Sequence, residues 1–518
     1  MMRWALIAGA VALTLTGAAL LAAYAYGRFA EHARGEPSYA LEREVAATPL
    51  DRRISELIAG RAGRSGLAIL SSNVDAFAAR ALSARASGRS LDLMYYIWKE
   101  DLTGRLLMGE AIAAADRGVR VRLLLDDIGV EGDDALFLAL DSHANIELRL
   151  FNPTQARESV LQRGIEMALR AFSVTRRMHN KAWIADGRVA IVGGRNIGDE
   201  YFDAGETSNF RDIDLLTLGP VADQTERMFD DYWNSGLALP IKALADVDSQ
   251  PLAALRRALQ NLAESGEARP YIRQLRERVT LMSLLAEENL HWSAEARLIS
   301  DPPEKAMGKD GENGLMRELF PLLAAARETI EISSPYFVPG DTGTAEFVAL
   351  AARGVSVSVL TNSLAATDVA AVHGGYAPYR KPLLEGGITL FELRPSAGSG
   401  DFSLRGSSNA SLHTKAFTVD DRIGFIGSLN FDPRSASLNT EMGVLFETGA
   451  LIAEVRALFT EEISPEISYS VRLEAGGRLS WHTQEEGRPV IYRHEPEASL
   501  SRRAIARIVG LLPLESQL

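Results

Sequence analysis

Short, wholly apolar runs alternate with amphipathic ones along most of this chain. The stretch "LDLMYYIWKED" from Leu91 reads as a buried strand that ends in polar residues. The next stretch, "RLLMGEAIAAADRGVRVRLLLDDIG", reads as a helix closed near Arg117-Gly118, then a strand through Val119 to Leu125. Strand, helix and strand in this order predict parallel pairing in an α/β layer fold. The phrase returns later. "IEISSPYFVPGD" from Ile330 is a strand, and a helix, Arg353-Gly354-Val355 and a further strand follow it. Tyr96 and Tyr336, Arg117 and Arg353, and His179 and His413 lie 240, 236 and 234 residues apart. An offset this constant means two copies of one domain.

The flanking segments have different patterns. Residues 4–25 carry no charge and are long enough to span a bilayer. They read as an uncleaved N-terminal anchor, favoured by the length of the run, or as a cleaved signal with Ala23-Tyr24-Ala25 as the site. Either reading puts the body outside the cytoplasm if Arg3 stays inside. Arg28 and Arg34 oppose that orientation. The expected organisation is an anchor or signal over residues 1–27, a linker over 28–50, a first lobe over 51–248, a helical connector over 249–300, a second lobe over 301–468 and a tail over 469–518. The tail reads as a hairpin around Gly476-Gly477, then a helix from Leu500. The apolar stripe of that helix, Ile505, Ile508, Val509 and Leu512, is expected to pack on the body.

Within each copy a polar signature recurs. His179, Lys181, Asp186, Gly193 and Asn196 repeat the spacing of His413, Lys415, Asp420, Gly427 and Asn430. On a strand, residues two apart share a face, so each His and Lys would point the same way. Asp186-Gly187 is a strong hairpin turn signal and Asp420-Asp421 a weaker one. The pairs Gly193-Gly194 and Gly427-Ser428 let the backbone approach a ligand. Asn196 and Asn430 follow them as amide donors. Each copy thus offers one imidazole, one ammonium and one amide. Cleaving a phosphodiester takes a nucleophile at phosphorus and an acid for the departing alcohol. Two lysines and two asparagines can hold the oxygens on which charge accumulates. One copy supplies only one imidazole, so two copies facing each other would build one site. A lone His-x-Lys is ordinarily a solvated strand face; the whole set, twice and at the domain-repeat offset, is not.

Composition narrows the partners. The net charge of −13 argues against nucleic-acid binding through a basic surface, and no basic, aromatic-rich strand-binding stretch is present. The absence of cysteine excludes disulfides and thiolate metal sites, and the eight histidines form no cluster at metal-ligand spacing. Neither a metal nor an organic cofactor is expected.

These residues resemble the phospholipase D superfamily, whose signature is His-x-Lys-x4-Asp-x6-Gly-Ser/Gly-x-Asn in two copies. The resemblance runs from about residue 60 to the end. It implies an α/β fold of two phospholipase D-like lobes, each a mixed β-sheet flanked by helices, related by a pseudo-twofold with one active site between them. It also implies a phosphohistidine intermediate, with His179 as nucleophile and His413 as acid/base; the residues themselves do not separate the two roles. An acid downstream of each motif orients a histidine in the family, which matches Glu441 in the second copy and, by alignment of Asp-Ile-Asp-Leu on Glu-Met-Gly-Val, Asp212 rather than Asp214 in the first. Asp186 and Asp420 belong to the signature but are expected to stabilise the turns. Gly194 departs from the usual Ser, which Ser428 keeps. "TRRMHNK", "GGRNIGDEYFDAG", "AVHGGYAPYRKPLLEGGITLFEL" and the terminal "LLPLESQL" are similar to C-type bacterial cardiolipin synthases. That similarity implies membrane phospholipid substrates and transfer of a phosphatidyl unit to phosphatidylglycerol. Arg176, Arg177, His373, Tyr376 and Arg380 are expected headgroup or membrane contacts, the last three on a loop, beside Gly194 and Ser428. The alternatives are a hydrolase releasing phosphatidic acid, a broader phosphodiesterase or nuclease, and a membrane-anchored binding protein without catalysis. Two intact motif sets argue against the last.

Overall fold

The computed structural model describes residues 2–43, 47–130, 132–157, 159–244, 251–266, 268–278, 281–309, 314–395 and 409–512. The junction at 245–250 and the end of the terminal "LLPLESQL" stretch lie outside them.

The first half contributes β1 (Ser65–Leu70), β2 (Ser90–Tyr95), β3 (Arg120–Asp126), β4 (Ile146–Phe151), β5 (Ala182–Ala185), β6 (Val189–Gly193), β7 (Ser208–Arg211), β8 (Asp214–Leu218), β9 (Ala238–Pro240) and β10 (His291–Ser293). All but β7 join one nine-stranded sheet in the order β10-β1-β8-β6-β5-β2-β3-β4-β9. The second half contributes β11 (Arg297–Ser300), β12 (Thr329–Ser333), β13 (Ser356–Asn362), β14 (Thr389–Leu393), β15 (Asn409–Leu412), β16 (Ala416–Val419), β17 (Ile423–Gly427), β18 (Met442–Phe446), β19 (Ser468–Leu473), β20 (Leu479–Glu485) and β21 (Arg488–Tyr492). Its sheet runs β11-β18-β17-β16-β12-β13-β14-β19-β20-β21. The kernel β8-β6-β5-β2-β3-β4 therefore recurs as β18-β17-β16-β12-β13-β14. In each kernel the first-formed strand pairs parallel with the next, and the motif hairpin adds antiparallel to its other side. The mixed sheets and repeated lobes expected from the sequence are both present.

Every residue of β2 is buried, the mark of a strand covered on both faces. Helices Asn73–Ala86 and Leu102–Asp116 cover the outer face of the first sheet through Phe77, Ala81, Leu107 and Ala111. A separate core of Leu319, Phe347, Val357 and Leu390 lies under the outer helices of the second. Between the sheets a third core joins Ile184, Val192, Phe229 and Trp233 to Ile426, Val444 and Ile452. The two halves thus share apolar interior across their junction, and helices Pro220–Trp233 and Gly449–Glu462 lie in that middle layer.

Two short ladders add backbone pairing between halves. β7 pairs parallel with β15, and Met178 bridges Thr440 in the same sense. The motif hairpins turn through left-handed residues, Asp186-Gly187 at φ 53° and 64°, and Asp420-Asp421 both at 51°. Two positive-φ residues suit the two-residue turn that matches strand twist.

Three segments differ from expectation or extend it. Residues 373–380, expected as a loop because of Gly374-Gly375 and Pro378, instead span the end of helix Ala370–Tyr376, a turn Ala377–Tyr379 and the start of helix Arg380–Glu385. The glycines serve packing: a Cβ on Gly374 would lie 2.6 Å from the Ala506 carbonyl oxygen. Helix Leu500–Val509 docks there through Ala506, and its larger apolar residues Ile505, Ile508 and Leu512 stay largely exposed instead of packing on the body. The apolar N-terminal run lies in helix Met2–His32, with Trp4, Leu13, Leu20 and Tyr24 exposed. Among the described residues no helix is long and apolar enough to cross a membrane.

Candidate active site

Each motif histidine is delivered by the ladder that joins its half to the other. His179 donates its backbone N–H to the Thr440 carbonyl at 2.9 Å, and Thr440 returns one to Arg177 at 2.9 Å. His413 donates to Arg211 at 2.7 Å, directly after the β7–β15 pairing. Neither histidine lies within its strand, as the two-residue period had implied; β5 begins at Ala182 and β16 at Ala416. The ammonium groups fold back on their own motifs. Lys181 Nζ donates to the His179 carbonyl at 2.6 Å and Lys415 Nζ to that of His413 at 2.7 Å.

The acids cross between halves. Glu441, from the second, lies 2.9 Å from His179 Nδ1, and Asp212, from the first, lies 2.6 Å from His413 Nδ1. All four side chains are buried. A carboxylate at Nδ1 fixes the tautomer and leaves Nε2 for chemistry. Sequence alignment found both acids; it placed each beside its own motif, and only the tertiary fold exchanges them.

The Gly/Ser difference has a local cause. Ser428 Oγ donates to Glu441 and accepts the Met442 N–H at 3.0 Å. In the first half, a Cβ on Gly194 would stand 2.8 Å from both Asp212 carboxylate oxygens. The shorter acid occupies the space that a serine would need.

Aromatic rings wall the histidines. Tyr96 meets His179 edge-on at 5.1 Å between centroids, and Tyr201 and Phe210 approach His413 at 5.1 and 4.9 Å. Sequence reasoning passed over all three in this role, although Tyr96 anchored the repeat offset. Asn196 donates from Nδ2 to Tyr201 Oη at 2.9 Å. Asn430 is buried, and its Oδ1 has no partner among the described residues.

Burial controls the charges. It holds His179 down at about 4, with Lys181 and Lys415 adding to the effect against the pull of Glu441. It lowers His413 well below the ordinary imidazole value, with Lys415 again adding. Lys181 is strongly lowered by burial, and Lys415 is held at about 8. Asp212 is pushed up by burial to about 6, against Lys415 and Arg195. Burial also acts on Glu441, but His179 and Lys181 outweigh it and keep this carboxyl below its usual range. These surroundings favour neutral imidazoles. A phosphodiester anion would favour the charged forms and raise these values.

The remaining residues lie elsewhere. Asp186 accepts the backbone N–H groups of Gly88, Arg89 and Ser90 at 2.8 to 3.1 Å, and Asp420 those of Arg327, Glu328 and Thr329 at 2.7 to 2.9 Å. Both pin a hairpin turn to the neighbouring strand, away from the imidazoles. Asp214 pairs with Arg80 at 2.8 Å. Arg177 is buried beside Asp126, and Arg176 donates to the carbonyls of Lys305 and Ser437. His373, Tyr376 and Arg380 are buried as well, not displayed to a headgroup. Arg380 pairs with Glu495 at 2.6 Å and Glu392 at 3.2 Å, and His373 Nε2 lies 3.7 Å from Glu495. The expected surface contact is an interior ion cluster beneath the C-terminal segment.

Residues 82–233 and 319–463 match the family described as "Cardiolipin synthase, PLD-like domain". The chain is 40% identical over 460 residues to "Cardiolipin synthase C" of Escherichia coli (strain K12), which covers 88% of this chain and 96% of that protein. It is 31% identical over 473 residues to an uncharacterized protein of Helicobacter pylori (strain ATCC 700392 / 26695), covering 90% and 92%. The crystal structure of phosphatidylserine synthase from Haemophilus influenzae Rd KW20 superposes with a TM-score of 0.56 at 14% identity, covering 88% of this chain and 96% of that one. At that identity the likeness is one of fold.

Proposed function

This chain belongs to the cardiolipin synthase family of phospholipase D-like proteins, and from that premise we propose that it is a phosphatidyltransferase that makes cardiolipin from phosphatidylglycerol and a second phospholipid. The observation that carries the reading is the pair of imidazoles, each held at Nδ1 by a carboxylate of the other half. Two imidazoles so held supply the nucleophile and the acid that one phosphodiester exchange requires.

In this mechanism His179 Nε2 attacks the donor's phosphorus. The P–O bond to the headgroup alcohol breaks, and His413 passes its Nε2 proton to the departing oxygen. The product is a phosphatidyl group on His179, with Glu441 supporting the ring's positive charge. The hydroxyl of the acceptor phosphatidylglycerol then gives its proton to His413 and displaces His179 from phosphorus. Lys181, Lys415, Asn196 and Asn430 stabilise the charge on the phosphoryl oxygens at both steps. The assignment of His179 as nucleophile rests on the first-copy histidine of the family, since Glu441 and Asp212 hold the two rings alike. Tyr96, Tyr201 and Phe210 limit water at the imidazoles, which favours an alcohol over hydrolysis.

The same proposal takes residues 1–27 as an anchor or cleaved signal and places the enzyme at a bacterial inner membrane, on the periplasmic face. The test is to incubate the protein with mixed phosphatidylethanolamine and phosphatidylglycerol vesicles and identify products by mass spectrometry, with His179→Ala and His413→Ala as controls. Cardiolipin formed by the wild type alone is the expected result, and omission of each lipid in turn identifies the donor. Phosphatidic acid without cardiolipin would make the enzyme a hydrolase.

A further inference from the structure

Beyond Asn430 the second half opens a space that the phosphoryl chemistry leaves unused. It is a trough of about 240 Å³ walled by Phe320, Leu323, Phe347, Leu350 and Phe431, with Asn430 and Asp432 also in its lining. Helices Leu315–Ala324 and Gly340–Ala352 form its banks. Phe431 packs on Phe347 at 6.5 Å between ring centroids. Phe320 is 44% exposed, so the apolar lining continues to the surface. A second cavity, of about 380 Å³ on the Asp212 side, has mixed walls, with Asn73, Arg211 and Glu462 beside Phe210, Ile213 and Phe459.

The corresponding place in the first half is lined differently. Ile197 stands where Phe431 does, and Ile197, Trp98 and Leu102 are all buried. Trp98 Nε1 donates to the Gly104 carbonyl at 3.1 Å, and Asp101 caps helix Leu102–Asp116 while also accepting the Asp199 N–H at 2.7 Å. The two halves therefore differ at this position, with Phe431 half-buried in one and Ile197 fully buried in the other.

A trough with a buried amide and a buried carboxyl among aliphatic and aromatic walls suits an amphiphile. Asn430 Oδ1 is buried and without a partner among the described residues. We propose that the trough holds an acyl chain of the phospholipid whose phosphate lies between His179 and His413. The proposal rests on the phosphatidyl-transfer reading above. The occupant follows from shared lining: Asn430, assigned above to the phosphoryl oxygens, also lines the apolar space, and Phe320 on its wall is exposed to the surface. A chain of this kind removes apolar wall from water and adds its own burial to substrate binding.

Thr342→Trp and Ala436→Phe fill the trough from exposed rim positions. The measurement is kcat/KM for dioleoyl and for dibutanoyl phosphatidylglycerol, with thermal melting to confirm that each variant folds. The expected result is that the long-chain to short-chain ratio falls about tenfold or more, the worth of roughly two buried methylenes. A phospholipid with a diazirine near the end of its acyl chain should label peptides containing Phe320, Leu323 or Phe347 in the wild type, a readout that needs no variant. A wild-type ratio in both variants, or labelling confined to other peptides, overturns the proposal. A wild type that transfers neither lipid overturns it by a separate route, because the phosphatidyl-transfer reading then fails with it.

Discussion

Replacing Glu441 by Gln would test the crossed pairing at its most sensitive point. The carboxylate is fully buried, lies 2.9 Å from His179 Nδ1 and accepts the Ser428 hydroxyl. Glutamine keeps the volume but has one acceptor oxygen and an NH2 group. If the oxygen stays toward Nδ1, His179 keeps its tautomer but loses the charge that supports the phosphorylated ring. If the NH2 turns toward Nδ1, the proton moves to Nε2 and blocks the attacking atom. A comparable Asp-to-Asn change in a buried carboxylate–imidazole pair costs about 10⁴ in kcat, or about 5.4 kcal/mol at 1.36 kcal/mol per decade. We expect a loss of that order in the rate of phosphoenzyme formation, read by rapid quench in a single turnover. Asp212→Asn acts on the other imidazole, whose task is to deliver a proton. A phosphatidyl nitrophenyl ester, whose leaving group departs without a proton, should restore phosphoenzyme formation in Asp212→Asn and not in Glu441→Gln. Restoration in the opposite variant would reverse the roles of the histidines. Rates within tenfold of wild type in both variants would refute the reasoning, since the carboxylates would then only be filling space.

Three further outcomes are expected. Asp186→Ala leaves backbone N–H groups of residues 88–90 without their acceptor and should cost about 3 kcal/mol of stability, seen as a lower Tm, while kcat per folded molecule is kept; an equal loss of kcat would place Asp186 in the chemistry. Gly194→Ser puts a Cβ 2.8 Å from both Asp212 oxygens and should lower kcat by about tenfold or more through His413 misplacement, although it restores the commoner signature residue; unchanged kcat would refute the steric account. In the free enzyme kcat/KM should rise as His179 loses its proton at about 4, decline as His413, lowered by burial well below its ordinary value, loses the proton it delivers to the leaving group, and decline again near 8 as Lys415 loses its own. His179 and Lys415 are lowered from their ordinary values of 6.5 and 10.5, so the unfolded chain binds more protons between pH 4 and 6.5 and between pH 8 and 10.5. Their contribution to stability therefore rises with pH in those two windows, which chemical denaturation across pH would measure.

Much of this architecture could be read from the chain because it depends on local chemistry. The turn residues at Asp186-Gly187 and Asp420-Asp421, the small residues after the return strands and the two polar sets repeat in register, and each is set within a few residues of its motif. Fold class follows from the same periodicities. What could not be read is what distant segments do to one another. The exchange of Glu441 and Asp212 spans more than 200 residues in each case, and no local pattern encodes it. Residues 373–380 misled for a related reason: Gly374 and Gly375 resemble a break, but Gly374 is there because helix Leu500–Val509 passes too close for a side chain. His373 and Arg380 looked like surface contacts because Glu392 and Glu495, which hold them in the interior, lie up to 122 residues away in sequence. Tyr201 and Phe210 flank His413 from the opposite half, so their place beside an imidazole is visible only in the folded molecule.

The exchange of acids between halves has a consequence for how such a protein changes over generations. In an assembly of two identical single-motif chains, every substitution lands twice, once on each side of the site, so the two sides must stay alike. In this chain a substitution lands once. The first side could adopt the shorter Asp212 against Gly194 while the second kept Glu441 against Ser428, and one side could carry Phe431 half-buried while the other carried Ile197 fully buried. Covalent joining thus leaves each side free to change without the same change on the other. It also makes them mutually dependent, because neither half retains the carboxylate its own histidine uses.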